Sequence, residues 1–289
     1  MFRLITICIL IAATSGLTAE VVENFDGYSS GIESDAFATS SKTTGGSDGP
    51  WHKWNGAAEG STSTVDINND NGDKYLRFGY TDGDRGAYRD LGSSYEIVDD
   101  ATGSFEFSFL VNSHSNDKDA DNNLYYGIGY DSSPDDGKNS FVAGINLVHD
   151  ETSGELKLKA YNGNVTSTVS SVTYNYNTWY HVALSIDHAN DTYSVYVVEG
   201  DPPASNADYG DAILSGQSFN SNSGISTAAN GSLSTFMVFA DDISANSLAG
   251  LDNVGHSANL IPEVNNFSLL IGLGLLTACI TNRKLSVRP

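Results

Sequence analysis

The sequence predicts an all-β protein, an antiparallel two-sheet β-sandwich, and three observations lead there. Apolar and polar residues alternate with period two along the middle of the chain. Clusters of Gly, Asn, Asp and Ser separate the alternating runs, and no segment between the two ends has the apolar period of an amphipathic helix.

The alternation is plainest at residues 104–111, where Phe105, Phe107 and Phe109 share one face, and at 155–160, where charge and leucine alternate without a break. Similar runs cover 74–80, 124–130, 140–148, 179–187, 192–198 and 233–240. Between them, Asp135-Asp136-Gly137-Lys138 and Tyr161-Asn162-Gly163-Asn164 have turn composition, because Gly, Asn and Asp accept the backbone angles that reverse a chain. Roughly a dozen strands of this kind leave one apolar face per sheet, which another sheet must cover.

The two ends differ from this body. Residues 1–19 read as a secretory signal peptide: Arg3 is basic, residues 4–13 are apolar, and Ser15, Gly16 and Ala19 are small, with cleavage expected after Ala19. That apolar run falls short of the ~20 residues of a spanning helix. The body extends over 20–258, and residues 259–289 contain an uncharged apolar stretch, 267–280, ahead of Arg283, Lys284 and Arg288. Those basic residues are expected to stay cytoplasmic, leaving the body outside. As a helix the stretch spans about 21 Å against a hydrocarbon layer of about 30 Å, which suits a segment held in the membrane until it is cut. Pro262-Glu263-Val264 precedes it, with Val264 where a second proline would complete the pattern. This end resembles the PEP-CTERM sorting segments of bacterial proteins. The resemblance implies membrane attachment through the C-terminal hydrophobic helix and a sorting protease of exosortase type as partner.

All 36 acidic residues fall between Glu20 and Glu263 and four of the 14 basic ones lie outside that span, so residues 20–263 have a formal charge of −26 against −22 for the whole chain. Such a surface repels nucleic acid and anionic lipid, which removes nucleic acid as a partner. Cys8 and Cys279 both fall in the terminal segments. The body therefore has no disulfide, no thiolate nucleophile and no cysteine zinc site, and its stability must come from a large core.

The stretch Asn177-Thr178-Trp179-Tyr180-His181-Val182-Ala183-Leu184-Ser185-Ile186-Asp187, with Thr192-Tyr193-Ser194-Val195-Tyr196-Val197 after a short Asp/Asn turn, resembles the paired central strands of concanavalin A-like and laminin-G-like jelly rolls. Glu23-Asn24-Phe25-Asp26-Gly27-Tyr28 and Gly250-Leu251-Asp252-Asn253-Val254 resemble the opening and closing strands of such domains. The resemblance implies an outward-facing His181 at the surface. It also implies a structural calcium tying the first strand to the last through Glu23, Asp26 and Asp252.

Glycoside hydrolases of these folds place their carboxylates on one strand so that acid and nucleophile flank a bond about 5 Å apart. Glu106 is followed at that spacing by Ser108 and Glu155 by Lys157, so neither starts such a motif. With ten basic residues in the body, a uronate-neutralising lyase groove has little to draw on. Asp117, Asp119 and Asp121 alternate with other residues in an oxygen-rich loop, as do the carboxylates and amides of 66–73, and hard cations need six to eight oxygens. Neither loop has EF-hand spacing, so a solvated loop is the plainer reading of each. Exposed aromatic rings stack on sugar faces, and the candidates are Trp51, Trp54, Tyr80, Tyr88 and Tyr126. Trp51 and Trp54, three apart, face opposite ways on a strand, so one of them is expected inward. Trp179 opens an apolar-alternating strand and is expected in the core. The expectation is an exported, surface-associated, non-catalytic protein binding extracellular polysaccharide or matrix glycan, with structural Ca2+. The alternatives are a polysaccharide-degrading enzyme of the same fold and a structural biofilm or cell-surface protein with no defined ligand.

Overall fold

The computed structural model describes residues 20–30, 51–53, 64–79, 85–98, 100–113, 123–130, 141–150, 154–161, 169–204, 206–220, 231–241 and 248–257. The signal peptide, the C-terminal segment, Trp54, Tyr80 and the loop of Asp117, Asp119 and Asp121 lie outside these residues. Among the described residues no helix is long and apolar enough to cross a membrane.

The strands are β1 (Glu20–Glu23), β2 (His52–Lys53), β3 (Thr64–Asp70), β4 (Asp73–Gly79), β5 (Arg85–Asp90), β6 (Thr102–Ser113), β7 (Asn123–Gly129), β8 (Ala143–Asp150), β9 (Glu155–Tyr161), β10 (Val169–Tyr174), β11 (Trp179–Asp187), β12 (Thr192–Glu199), β13 (Leu214–Ser218), β14 (Thr235–Asp241) and β15 (Leu248–Ser257). They form two antiparallel sheets. An eight-stranded sheet runs β13-β12-β11-β6-β15-β4-β3, with β1 added on β15, and a seven-stranded sheet runs β10-β9-β8-β7-β14-β5-β2. The expected sandwich is therefore what the chain forms.

Strand parity fixes the core. Phe105, Phe107 and Phe109 point between the sheets and are fully buried, and on β11 the inward set is Tyr180, Val182, Leu184 and Ile186. Tyr126 from β7 lies parallel to Phe107, ring centroids 5.5 Å apart, and Phe236 from β14 lies 5.3 Å from the same ring. Each such side chain contributes about 1.5–3 kcal/mol by leaving water.

The turns follow the sequence chemistry. In the β11–β12 hairpin the Asp187 carboxylate accepts from the Asn190 amide N–H and from Asn190 Nδ2 at 2.8 Å, and Asp191 adopts φ 51°. Residues 66–73, expected as an oxygen-rich loop, instead make a tight hairpin in which Asp70 faces Asp73 across Asn71 and Gly72. These two residues have φ 57° and 105°, the left-handed angles a two-residue hairpin turn requires and that Asn-Gly supplies. Asp66 is forked by Arg77, 2.9 Å to Nε and 2.6 Å to Nη2, so its oxygens are used.

Glu23, at the end of β1, joins the two sheets. Its carboxylate accepts from the Phe25 N–H at 2.8 Å, the Tyr28 hydroxyl at 2.8 Å, Trp51 Nε1 at 3.3 Å, and Nη1 of Arg89 on β5 of the opposite sheet. Removing one partner of a buried ion pair leaves the other charge stranded. Arg89→Ala is expected to lower unfolding free energy by roughly 3–5 kcal/mol, read as a lower urea midpoint with unchanged slope.

Candidate functional site

On β11 the outward set is Trp179, His181, Ala183 and Ser185, and cross-strand register puts His181 beside Ser108, and Ala183 beside Glu106, on β6. This outer face is not bare. The chain after β12 folds back over it and brings Tyr209 down, its hydroxyl donating to Glu106 Oε2 at 2.8 Å and its ring 6.0 Å from His181. Burial raises the Tyr209 phenol pKa, and the adjacent Glu106 charge raises it further. Beneath that cover, His181 Nε2 lies 3.3 Å from Glu106 Oε2 and Nδ1 lies 2.9 Å from Ser108 Oγ. With Nε2 protonated toward the carboxylate, Nδ1 accepts from the serine hydroxyl. His181 does face outward, as the resemblance implied, but at 1% exposure it is enclosed rather than at the surface. Hydroxyl, imidazole and carboxylate stand in the order of a nucleophilic relay, which spacing in the sequence does not reveal. Ser108 Oγ is also approached by Asn253 Nδ2 at 3.4 Å, so the array ties β6 to both β11 and β15.

Next to this array a polar pocket of about 270 Å³ opens. It forms where β15 changes neighbours. From Leu248 to Leu251 one edge of β15 pairs with β4, and from Val254 to His256 the same edge pairs with β1. The ladder with β6 is irregular between Asp252 and Gly255, and Asn253 adopts φ 49°. Asp252 and Asn253 stand at this break and line the pocket. Asn24 and Asp26 reach it from the turn after β1, Asp73 from the start of β4, and Gly200, Asp201 and Pro202 from the turn after β12.

Trp179 forms the aromatic wall. Its ring meets Tyr75 edge-on at 5.3 Å, and the pair lies over Gly250, where a Cβ would come within 2.9 Å of Tyr75 and 3.1 Å of Trp179. The expectation of a core Trp179 is thus corrected: the inward set of the strand is Tyr180, Val182, Leu184 and Ile186, and Trp179 has the outward parity of His181 and Ser185. It is half-buried.

The carboxylates are electrostatically coupled. Asp252 is 7% exposed, its Oδ2 accepts from Asn253 Nδ2 at 3.1 Å, and its Oδ1 has no hydrogen-bond partner. Burial pushes its pKa up to about 8, against the Asn253 backbone N–H that lowers it, with Asp73, Asp26 and Glu23 adding to the rise. Asp73 is raised in the same direction by burial and by Asp26, Asp70 and Asp201.

Of the aromatic residues expected to meet a ligand, three are described and none offers a face. Trp51 is fully buried against Phe25 at 5.3 Å and donates to Glu23. Tyr126 is fully buried in the core, its hydroxyl 3.3 Å from the Gly250 carbonyl, and its phenol pKa is raised by burial. Tyr88 is on the outer face of the seven-stranded sheet but only 3% exposed, with His52 stacked on it at 5.0 Å. It joins Tyr125, Phe141, Tyr161, Met237 and Phe239 in a second buried cluster. The expected clasp of Glu23, Asp26 and Asp252 does not form as a metal centre, because four protein donors already fill Glu23. Among the described residues no three His, Cys, Asp or Glu side chains converge as metal ligands. Asp26 and Asp252 instead share the pocket with Asp73, read in the sequence only as part of the oxygen-rich stretch 66–73, and with Asp201, which sequence reasoning did not single out.

No family model and no curated protein matches this chain. Among solved structures it resembles a carbohydrate esterase from the Shiga toxin-encoding bacteriophage phi24B, with 14% identity, a TM-score of 0.45, and coverage of 72% of this chain and 90% of that one. Peanut lectin aligns at 13% identity and TM-score 0.42, covering 72% of this chain and 95% of that chain. The exoplasmic/lumenal domain of VIP36, solved with Ca2+ and Man3GlcNAc, aligns at 9% identity and TM-score 0.41, covering 76% and 87%. These are likenesses of overall shape, and function has to be argued from the pocket.

An acid whose pKa is higher folded than unfolded holds its proton more tightly in the native state, so stability is full below the unfolded value and declines as pH rises toward the folded one. In chelator-treated protein, the Asp252 pKa of about 8 makes the expected loss run from about pH 4 to about pH 8. Asp252→Asn, which cannot ionise, should flatten that part of the melting-temperature profile. An equally steep profile in the variant would place the titration elsewhere.

Proposed function

We propose that this is an exported, surface-associated, non-catalytic module that binds extracellular carbohydrate or matrix glycan through the pocket at Trp179. The observation that supports it is the combination in one recess of a half-buried indole with Asn24, Asn253 and carboxylates. An aromatic face takes the C–H side of a sugar ring, and amides and carboxylates take its hydroxyls. At about 270 Å³ the recess lies just below the range of ~300–1,000 Å³ typical of small-molecule sites, which suits one terminal sugar unit better than a long chain lying across the sheet.

Export by residues 1–19 and retention by the apolar segment within 259–289, followed by cutting by an exosortase-type protease, belong to the same proposal. Structural calcium held by Asp117, Asp119 and Asp121 is also part of it, supported by their alternate spacing. Calcium binding there would raise stability by mass action, so chelation is expected to lower the melting temperature. A midpoint unmoved by chelator disposes of calcium as a stabilising ion.

A glycan array read with wild type and Trp179→Ala tests the binding site. The variant should lose binding at least tenfold while its far-ultraviolet spectrum stays that of a β-sandwich. Equal binding by both proteins removes the pocket from the reading, and depolymerised product in a polysaccharide zymogram removes the non-catalytic assignment.

A further inference from the structure

We propose that Ser108 is a specificity residue of the pocket, an acceptor that selects a sugar unit presenting a free, hydrogen-donating hydroxyl, and that His181 is the positioning residue that makes it one. This rests on the reading of the pocket as a glycan site and names the group of the ligand that is recognised there.

The first observation is where Ser108 stands. It has the outward parity of β6, lines the recess, and lies opposite His181 on β11 and Asp252 on β15. Its Oγ lies between His181 Nδ1 at 2.9 Å and Nδ2 of Asn253, another lining residue, at 3.4 Å. The hydroxyl therefore belongs to the buried array and to the pocket at once.

The second is the direction of its bond. A hydroxyl has one proton to give and two lone pairs. Glu106 Oε2 already accepts from the Tyr209 hydroxyl at 2.8 Å and stands 3.3 Å from His181 Nε2. A bare lone pair on Nε2 would repel that oxygen, so Nε2 carries the imidazole proton and Nδ1 carries none. Nδ1 can then only accept, and the serine proton is the one it takes. Asn253 meets one lone pair of Oγ, and among the described residues no donor meets the other.

The third is that donors around the recess are spent inside the protein. Asn253 Nδ2 donates to Asp252 Oδ2 at 3.1 Å as well as to Ser108, Asn24 Nδ2 donates to Asp26 Oδ2 at 3.2 Å, and the Gly200 N–H donates to the Trp179 carbonyl at 2.9 Å. A ligand that brings its own donor complements such a lining, and a sugar hydroxyl does so. A methyl ether, a fluorine or a hydrogen in its place has no proton for Ser108.

Hydroxyl, imidazole and carboxylate in this order can also activate a serine for attack. Attack creates an oxyanion, and the lining residues include Asp26, Asp73, Asp201 and Asp252 but no Lys, Arg or His to hold one. The array therefore sets a hydrogen-bond direction rather than a covalent step.

Nitrogen-15 NMR of the imidazole at neutral pH reads the tautomer without any ligand, with the His181 signals assigned by their loss in His181→Gln. A protonated Nε2 and a bare Nδ1 are expected, and a proton on Nδ1 overturns the proposal. Isothermal titration then compares glucose, galactose and mannose with their monodeoxy and monodeoxyfluoro derivatives, because fluorine fills the place of a hydroxyl but cannot donate. At one ring position both derivatives are expected to bind about tenfold more weakly than the parent sugar, the size of one lost hydrogen bond. Ser108→Ala should bind parent and derivatives alike. The proposal falls if none of the three parents binds, if Ser108→Ala keeps wild-type affinity, or if fluorine is tolerated at the position that Ser108→Ala affects, since Ser108 would then be the donor. Should Ser108→Ala fail to fold, the wild-type tautomer and the fluorine series still decide. The two readings fail separately: Trp179-dependent binding of a neutral sugar that is indifferent to fluorine at every position sinks Ser108 as the selector and spares the glycan site. A bare Nδ1 with a blank glycan array leaves the bond direction standing and removes the glycan site, and with it the selection.

Discussion

Strand β15 serves three neighbours along two edges, β6 on one and then β4 and β1 in succession on the other. A strand cannot hand one edge from one partner to another without a gap, and here the gap falls at Asp252 and Asn253. Asn253 takes up the irregularity at φ 49°, an angle that asparagine tolerates better than a β-branched residue. Everything local to the pocket follows from that break. The turn after β1 and the hairpin end at Asp73 converge on it because they bound the two strands that part there. Each brings a carboxylate.

The outer face of the eight-stranded sheet shows how polar groups persist away from water. Glu106, Ser108 and His181 would be ordinary surface residues on an open sheet, but the chain after β12 covers them, and each then needs a partner. The Glu106–His181–Ser108 sequence of contacts, capped by the Tyr209 hydroxyl and approached by Asn253, provides partners for Glu106 Oε2, both imidazole nitrogens and the serine hydroxyl while joining β6, β11 and β15. Such networks favour one arrangement because a partly broken one leaves buried groups unpaired. The same cover forms one wall of the pocket at Gly200, Asp201 and Pro202, so the ordering of the buried array and the shape of the recess depend on one segment.

The sandwich was legible because parity is a local property. Phe105, Phe107 and Phe109 announce an inward face by their spacing, and Asp187 to Asp191 announce a hairpin by composition. Residue type misled where parity would not have: Trp179 reads as core by its size and by opening an apolar-alternating strand, but it shares the parity of His181 and Ser185, and the register with Leu110 and Gly250 shows its direction. The pairing of Glu23 with Arg89 was hidden for a different reason. A carboxylate near the start of a chain looks like a free ligand unless the distant cation that fills it is known, and residues 23 and 89 meet only across two sheets. Asp252 stands among apolar residues in its strand, which is a signal by itself, whereas Asp73 and Asp201 sit in acidic turns that solvent explains equally well.

Asp252 differs from most acids of this strongly acidic chain in where its charge must be held. A surface carboxylate costs little and favours solubility. A buried carboxylate lining a recess that three others also line opposes folding whenever it is ionised, and asparagine would fit the same space without that cost. A local arrangement that lowers stability, in a fold whose core is otherwise well packed, is expected at the place where something binds. The fold supplies the recess through the requirements of β15, but those requirements do not call for acid there. The charge is the part of the pocket that strand pairing does not explain.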